Sequence, residues 1–180
     1  MQSGSLKRLI IRAKGGDKDA FGEIYNLFLK QIFRYIYFST RNYELAQDLT
    51  QNTFFKAWRA LPSISVYRGS FKAFLFTIAR NLVIDWSRSK KELPLETIEN
   101  FPSFEDPQED LIRKEARVVV LQALSRLEED EKQLITLRFF EEFEYGEIAK
   151  VVGKKEGTVR VTTHRILKKL KNYIKYKYEN

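Results

Sequence analysis

The chain contains no cysteine, which excludes a disulfide framework and any thiolate metal site. It has a single histidine, His164, so a multi-histidine metal centre is excluded too. Four prolines and eight glycines in 180 residues leave room for long uninterrupted helices. Wholly apolar runs span only a few residues, far short of the roughly 20 that a membrane-crossing helix needs. Near the N-terminus, Lys7, Arg8, Arg12 and Lys14 interrupt the stretch where a signal peptide would carry its apolar core. There is no internal repeat, and no alternating pattern long enough to argue for a sheet. Nor is there a phosphate-cradling glycine loop, a nucleophile with a plausible base, or a clustered metal-ligand pattern, so an enzyme is the least favoured class and no cofactor or metal is expected. Paired acids such as Glu141 and Glu142 read as solvated helix surface. The expectation is a soluble, cytoplasmic, all-α protein.

What the chain does have is apolar bulk and positive charge. Hydrophobic residues make up 43% and aromatics 14%, enough to build helical cores. The net charge of +8 and a pI near 9.5 favour a polyanionic partner if the charge is clustered. Apolar spacing predicts helices over residues 6–13, 17–39 (with Asp17 as N-cap), 42–61 (stopped by Pro62) and 70–88. From Glu92 to Asp110 the composition changes: seven acids, no bases, and Pro94, Pro102 and Pro107. This reads as a flexible acidic linker. Extended, the roughly 18 residues from Ser89 to Asp106 would reach about 60 Å, beyond the ~34 Å of one duplex turn. Beyond Pro107, helices are expected at about 108–126, 129–141, 145–152 and 156–176. The organisation is thus two small helical domains, residues 1–90 and 109–180, joined by a linker at 91–108.

The segment from Tyr145 to Leu170 has helix-turn-helix spacing, with Ala149 where two helices cross, Gly153 at the turn and Val159 six residues later in the inter-helix core. If Val159 faces inward, so do Thr163, Ile166, Leu167 and Leu170, while Arg160, Val161, His164, Arg165 and Lys168 point away. With Lys155 and Thr158, that face suits a major groove: arginine pairs with guanine edges, a valine methyl packs on a thymine methyl, and lysines meet phosphates. The competing reading is a solvated lysine-rich final helix, which covers Lys171 to Lys177 equally well.

Two faces stand out in the first half. On helix 42–61, Leu49, Thr53, Phe54, Ala57, Trp58 and Leu61 form a broad inward sector; Glu44, Asp48, Gln51, Asn52, Phe55 and Arg59 lie opposite. An aromatic ringed by polar groups is a common form of helix-docking anchor, though a stray surface aromatic is the commoner case. From Ser63 to Lys91, the cations Arg68, Lys72, Arg80, Arg88, Lys90 and Lys91 interleave with Tyr67, Phe71, Phe74, Phe76 and Trp86. Phasing puts Phe71, Phe74, Leu75, Ile78 and Leu82 in the core and Lys72, Phe76, Arg80, Ser87 and Arg88 on an outer face suited to single-stranded DNA, where cations follow the backbone and rings stack on bases. Asp85 is expected on the inward side, within reach of an ion pair with Arg88.

Both halves together resemble the extracytoplasmic-function class of sigma-seventy-family sigma factors over nearly the whole chain. The string from Ala46 to Trp58 resembles the family's polymerase-binding segment, that from Ile78 to Asp85 with Arg88 its minus-ten segment, and Tyr145 to Ala149 followed by Glu156 to Arg160 its minus-thirty-five unit. The resemblance implies polymerase contacts by Asp48, Gln51, Asn52 and Phe55. It implies minus-ten contacts by Tyr67, Arg68, Lys72, Phe76, Arg80 and Arg88, with the loop from Val66 to Lys72 holding a flipped base. Minus-thirty-five contacts would come from Lys155, Thr158, Arg160, Val161, His164, Arg165 and Lys168. Asn52 stands where the family usually has Glu, and Val161-Thr162 where Ser-Arg is frequent. The implied partners are core RNA polymerase, promoter DNA as duplex and single strand, and an anti-sigma factor, with no small-molecule substrate. The residues alone leave open a conventional activator with a C-terminal helix-turn-helix, and an all-helical RNA-binding or scaffold module.

Overall fold

The computed structural model describes residues 3–64, 70–90, 119–120 and 122–179. Among the described residues the fold is carried by α1 (Ser3–Lys14), α2 (Lys18–Thr40), α3 (Tyr43–Ala60), α4 (Phe71–Lys90), α5 (Glu129–Ile135), α6 (Tyr145–Val152) and α7 (Glu156–Glu179). No strand occurs among the described residues, and no helix among them is long and apolar enough to cross a membrane. The predicted linker and the start of the predicted helix 108–126 lie outside the described residues.

Local chemistry sets the helix ends. The Asp17 side chain accepts from the Ala20 backbone N–H at 3.0 Å and from Arg12 Nε at 2.8 Å, which satisfies an orphan donor at the start of α2 and ties it to α1. Those donors, the Ala20 N–H foremost, hold the Asp17 carboxyl below its ordinary pKa. Asn42 caps α3 in the same way, accepting from Leu45 N–H at 2.9 Å. Pro62 falls in a single 3-10 turn, Leu61–Ser63, that closes α3. Gly153 ends α6 at φ 66°, a left-handed conformation that costs glycine little.

Four-residue spacing builds the first core. Ala20, Ile24, Ile32 and Ile36 of α2 are fully buried and meet Ala46, Phe54 and Ala57 of α3 and Leu75, Ala79 and Val83 of α4. Rings close the α2–α3 contact, Phe21 on Trp58 and Tyr25 on Phe54, with centroids 4.8 and 4.6 Å apart. In the second half, Leu137, Ile148, Val151, Val159 and Ile166 fill the space between α5, α6 and α7.

The two halves share one continuous core. The α2 and α4 faces meet α5, α6 and the π-helical turn Thr136–Phe140. Phe143, 1% exposed, packs edge-on against Phe76 with centroids 5.0 Å apart, and Phe76 packs likewise against Tyr35 at 5.2 Å. Beside this stack the fully buried Glu141 carboxylate accepts from Arg34 Nε at 2.9 Å and Nη2 at 2.6 Å. The Phe140 carbonyl takes a further Arg34 N–H at 3.0 Å, and the Lys72 ammonium donates to the Glu141 carbonyl.

Several expectations change accordingly. Phe76, expected on an outer face, has no exposed surface, because the second half docks on that side of α4. Lys72 and Arg80 are only partly exposed for the same reason; Ser87 is half-buried and Arg88 is exposed. Asp85, expected inward, is exposed; the solvent strip of α4 runs through Asn81, Asp85, Arg88 and Ser89. Glu141 is not solvated helix surface: α5 ends at Ile135 and a π-helical turn redirects the chain inward. Leu167, placed in the core by phasing, is 38% exposed, because it lies at the edge of the inward sector of α7, whose centre at Val159, Thr163 and Ile166 is buried.

Two outcomes are expected on thermal or urea denaturation. Asn42→Ala removes one cap and lowers stability by about 1 kcal/mol. Phe76→Ala opens a cavity under the docked half and costs about 3–5 kcal/mol, whereas truncation of a surface ring would leave the midpoint almost unmoved.

Candidate nucleic-acid and partner interfaces

The outward side of α3 is polar with one aromatic at its centre. Glu44, Asp48, Gln51, Asn52, Phe55 and Arg59 are all exposed. Phe55 shows 59% of its surface, with the Arg59 guanidinium 5.7 Å from the ring centroid. Asp48, Gln51, Asn52 and Phe55 follow 3–4 spacing and so share one stripe. The stripe is flanked by two hollows. One, of about 300 Å³, lies among Lys18, Phe21, Phe54, Phe55 and Trp58; the other, of about 310 Å³, lies in the α2–α3 groove beside Phe33, Tyr43, Gln47 and Gln51. An exposed ring between two apolar hollows gives a partner helix both a knob and holes.

The face of α4 that carries Lys72, Phe76 and Arg80 is covered. Lys72 Nζ lies 4.5 Å from the Phe143 ring centroid and 5.8 Å from that of Phe76. Burial is the main influence lowering its pKa, with Glu141 and Glu147 opposing. Arg80, its side chain 13% exposed, reaches Asp130 at 3.4 Å. Glu141 has its pKa raised chiefly by desolvation, which the Arg34 hydrogen bonds and charge offset only in part. Tyr67 and Arg68 lie outside the described residues.

The helix-turn-helix presents the third face. Val159 and Thr163 are fully buried and Ile166 is 1% exposed; the Thr163 hydroxyl donates to the Val159 carbonyl at 2.8 Å, so this polar side chain is satisfied inside. Thr158, Arg160, Val161, His164, Arg165 and Lys168 are all exposed along α7, as is Lys155 just before it. Arg160 donates to Glu156 one turn earlier at 2.8 Å and lies 5.2 Å from the Tyr145 ring centroid. Arg138 lies 4.9 Å from the same ring and donates to the Phe143 carbonyl at 2.9 Å. Arg138 and Tyr145 thus join α5's end to the exposed helix through cation–π contacts. Sequence reasoning did not single out either as a functional residue; the only signal was an arginine seven residues before the first helix of the unit. Gly146 admits Glu156: a Cβ there would come within 3.2 Å of its carboxylate oxygen.

Comparison with known proteins places these faces in a family. Residues 24–92 match the family model described as Sigma-70 region 2, and residues 117–170 match Sigma-70, region 4. The chain is 33% identical over 172 residues to the ECF RNA polymerase sigma factor BldN of Streptomyces coelicolor, covering 93% of this chain and 65% of that protein. It is 31% identical over 166 residues to the RNA polymerase sigma factor YlaC of Bacillus subtilis, covering 86% of this chain and 91% of the other. A similar solved structure is that of the sigma factor RpoE in complex with the anti-sigma factor NepR from Bartonella quintana, with a TM-score of 0.71 at 25% identity, covering 86% of this chain and 96% of that one. Region 2 coincides with α2 to α4 and region 4 with α5 to α7, in the order that runs along the chain, and the chain belongs to the sigma-70 family of RNA polymerase sigma factors, in its extracytoplasmic-function class.

Proposed function

We propose that this sigma factor, a non-enzymatic initiation factor that directs RNA polymerase to specific promoters, divides the work among its three faces. Asp48, Gln51, Asn52 and Phe55 of α3 dock on core polymerase. Tyr67, Arg68, Lys72, Phe76, Arg80 and Arg88 capture the minus-ten strand once it is unstacked. Lys155, Thr158, Arg160, Val161, His164, Arg165 and Lys168 read the minus-thirty-five duplex. Residues 1–90 and 109–180 act as the two domains, with 91–108 as the linker that lets them reach separate promoter elements. The cytoplasm, where polymerase works, is the site of action.

The observation that carries this reading is the pairing of a region 2 match with a region 4 match whose helix-turn-helix keeps all seven candidate duplex-reading residues exposed. An anti-sigma factor is the further partner proposed, since the similar RpoE structure is a complex with one.

Run-off transcription with core polymerase and genomic fragments tests the reading directly. New start sites that share two spaced upstream elements are expected, and duplex binding without polymerase dependence would favour a conventional activator instead. Two variants refine the result. Phe55→Ala should weaken core binding by at least 2 kcal/mol, about 30-fold, with an unchanged melting temperature because the ring is exposed. Arg160→Ala should cost about 1–3 kcal/mol of discrimination at a single upstream base pair, read by run-off on promoters altered one position at a time.

A further inference from the structure

Of the seven candidate duplex-reading residues, Arg160 is the one whose side chain is held by polar and ring contacts among the described residues. Its Nη2 donates to Glu156 Oε1 at 2.8 Å, and its guanidinium carbon lies 5.2 Å from the centroid of the Tyr145 ring. The other Glu156 oxygen, Oε2, faces Gly146, where a Cβ would stand 3.2 Å away. A glycine in the first turn of α6 thus leaves the carboxylate its place. Arg138, tied to the Phe143 carbonyl at 2.9 Å, lies 4.9 Å from the same Tyr145 ring and supports it from the π-helical turn. The Arg160 and Glu156 side chains are nevertheless 64% and 51% exposed, so the pair adds little to stability. Glu156 is also the one acid between Lys155 and Tyr178, on a surface assigned to DNA, where an acid opposes phosphate contact. Its place at the start of α7 suits the helix dipole, but the dipole requires neither the arginine nor the room at Gly146.

Resting on the assignment of Arg160 to a minus-thirty-five base, we propose that Glu156 and Tyr145 are positioning residues for base readout. They restrict the Arg160 guanidinium to one orientation before DNA arrives, so that the arginine meets its base edge already ordered. A guanidinium carries five N–H groups and Glu156 takes one of them, so a two-bond contact with a guanine edge stays available. An unrestrained arginine loses rotamer freedom when it binds. Ordering it in advance removes that cost from the specific complex, an effect on the order of three- to tenfold. Contacts to phosphate, which accept the charge in many orientations, gain nothing from the restraint. The ring and the carboxylate therefore act on discrimination at one base pair, not on DNA affinity at large.

Run-off transcription by limiting holoenzyme, on promoters altered one upstream position at a time, tests the proposal. Arg160→Ala first locates the base pair that Arg160 reads, as the one where discrimination falls. At that pair Glu156→Ala and Tyr145→Leu should each lose roughly three- to tenfold of discrimination, and lose none at the other upstream pairs. Tyr145→Phe keeps the ring and should discriminate as the wild type does. Combining Glu156→Ala with Arg160→Ala should cost no more than Arg160→Ala alone, because the carboxylate acts through the arginine. Wild-type discrimination by either Glu156→Ala or Tyr145→Leu, a loss spread over all upstream pairs, an equal loss in Tyr145→Phe, or additive losses in the double variant would overturn the proposal. Failure of the underlying assignment has a separate signature: Arg160→Ala itself discriminates as the wild type at every pair, and the proposal falls with it. Glu156 is exposed at the start of α7, so its variant keeps a melting temperature near that of the wild type and decides alone if Tyr145→Leu fails to fold.

Discussion

Glu141 surrenders all of its side-chain exposure, and the rest of the closed arrangement follows from how that carboxylate is held. A buried charge is tolerated only with a partner and hydrogen bonds around it, and the partner comes from α2, more than a hundred positions away. Arg34 approaches with two donors on one carboxylate oxygen and keeps 37% of its own side chain in solvent. That asymmetry makes the pair a surface-anchored clamp. Once it forms, the adjacent carbonyls fall within reach of Arg34 and Lys72, and Phe143 enters between Lys72 and Phe76. The aromatic contacts add apolar burial, but the ion pair sets the register.

Much of the architecture was legible because its causes are local. Asp17, Asn42 and Gly153 mark helix boundaries by what their own side chains or backbones can do: Asp17 is the N-cap expected, Asn42 caps the helix expected to start there, and Gly153 stands at the expected turn. The α3 sectors follow from helical periodicity alone, and Leu49, Thr53, Phe54, Ala57 and Leu61 are buried where that period puts them. The helix-turn-helix combines three such constraints within one short segment, and its crossing, turn and inter-helix core positions are as the spacing requires.

What escaped the sequence reading depends on distant surfaces. Helical phase identifies Phe76 as opposite Leu75's core side, yet cannot say whether the second face meets water or another part of the chain. An aromatic between cations is consistent with a base platform and with a docking site, and the closed arrangement uses it as the latter. Glu141 was misread because its neighbours were read as continuing helix. Phe139, Phe140 and Phe143 beside two acids were the signal available, since a solvated helix end has no need of three phenylalanines. Leu167 shows a smaller error: the inward sector of α7 is narrower than the phasing allowed, so Ile166 is buried and Leu167 beside it is not.

The three faces are not closed equally, and the difference matches what each would have to meet. Phe55 and its stripe remain in solvent, as do the seven outward residues of the helix-turn-helix, while Phe76 is sealed and Lys72 and Arg80 are engaged. Polymerase and duplex exist before any strand is unstacked, so faces for them gain from being accessible in the free protein. A strand-binding face has no promoter ligand until the duplex opens, and left uncovered it would present cations and a ring to any single-stranded nucleic acid. If that face takes the strand as proposed, covering it with the protein's own ring and carboxylate suppresses unproductive binding without blocking the contacts that would come first. An anion-bearing cover suits the task better than a purely apolar one, because it neutralises the cations that would otherwise attract nucleic acid from a distance.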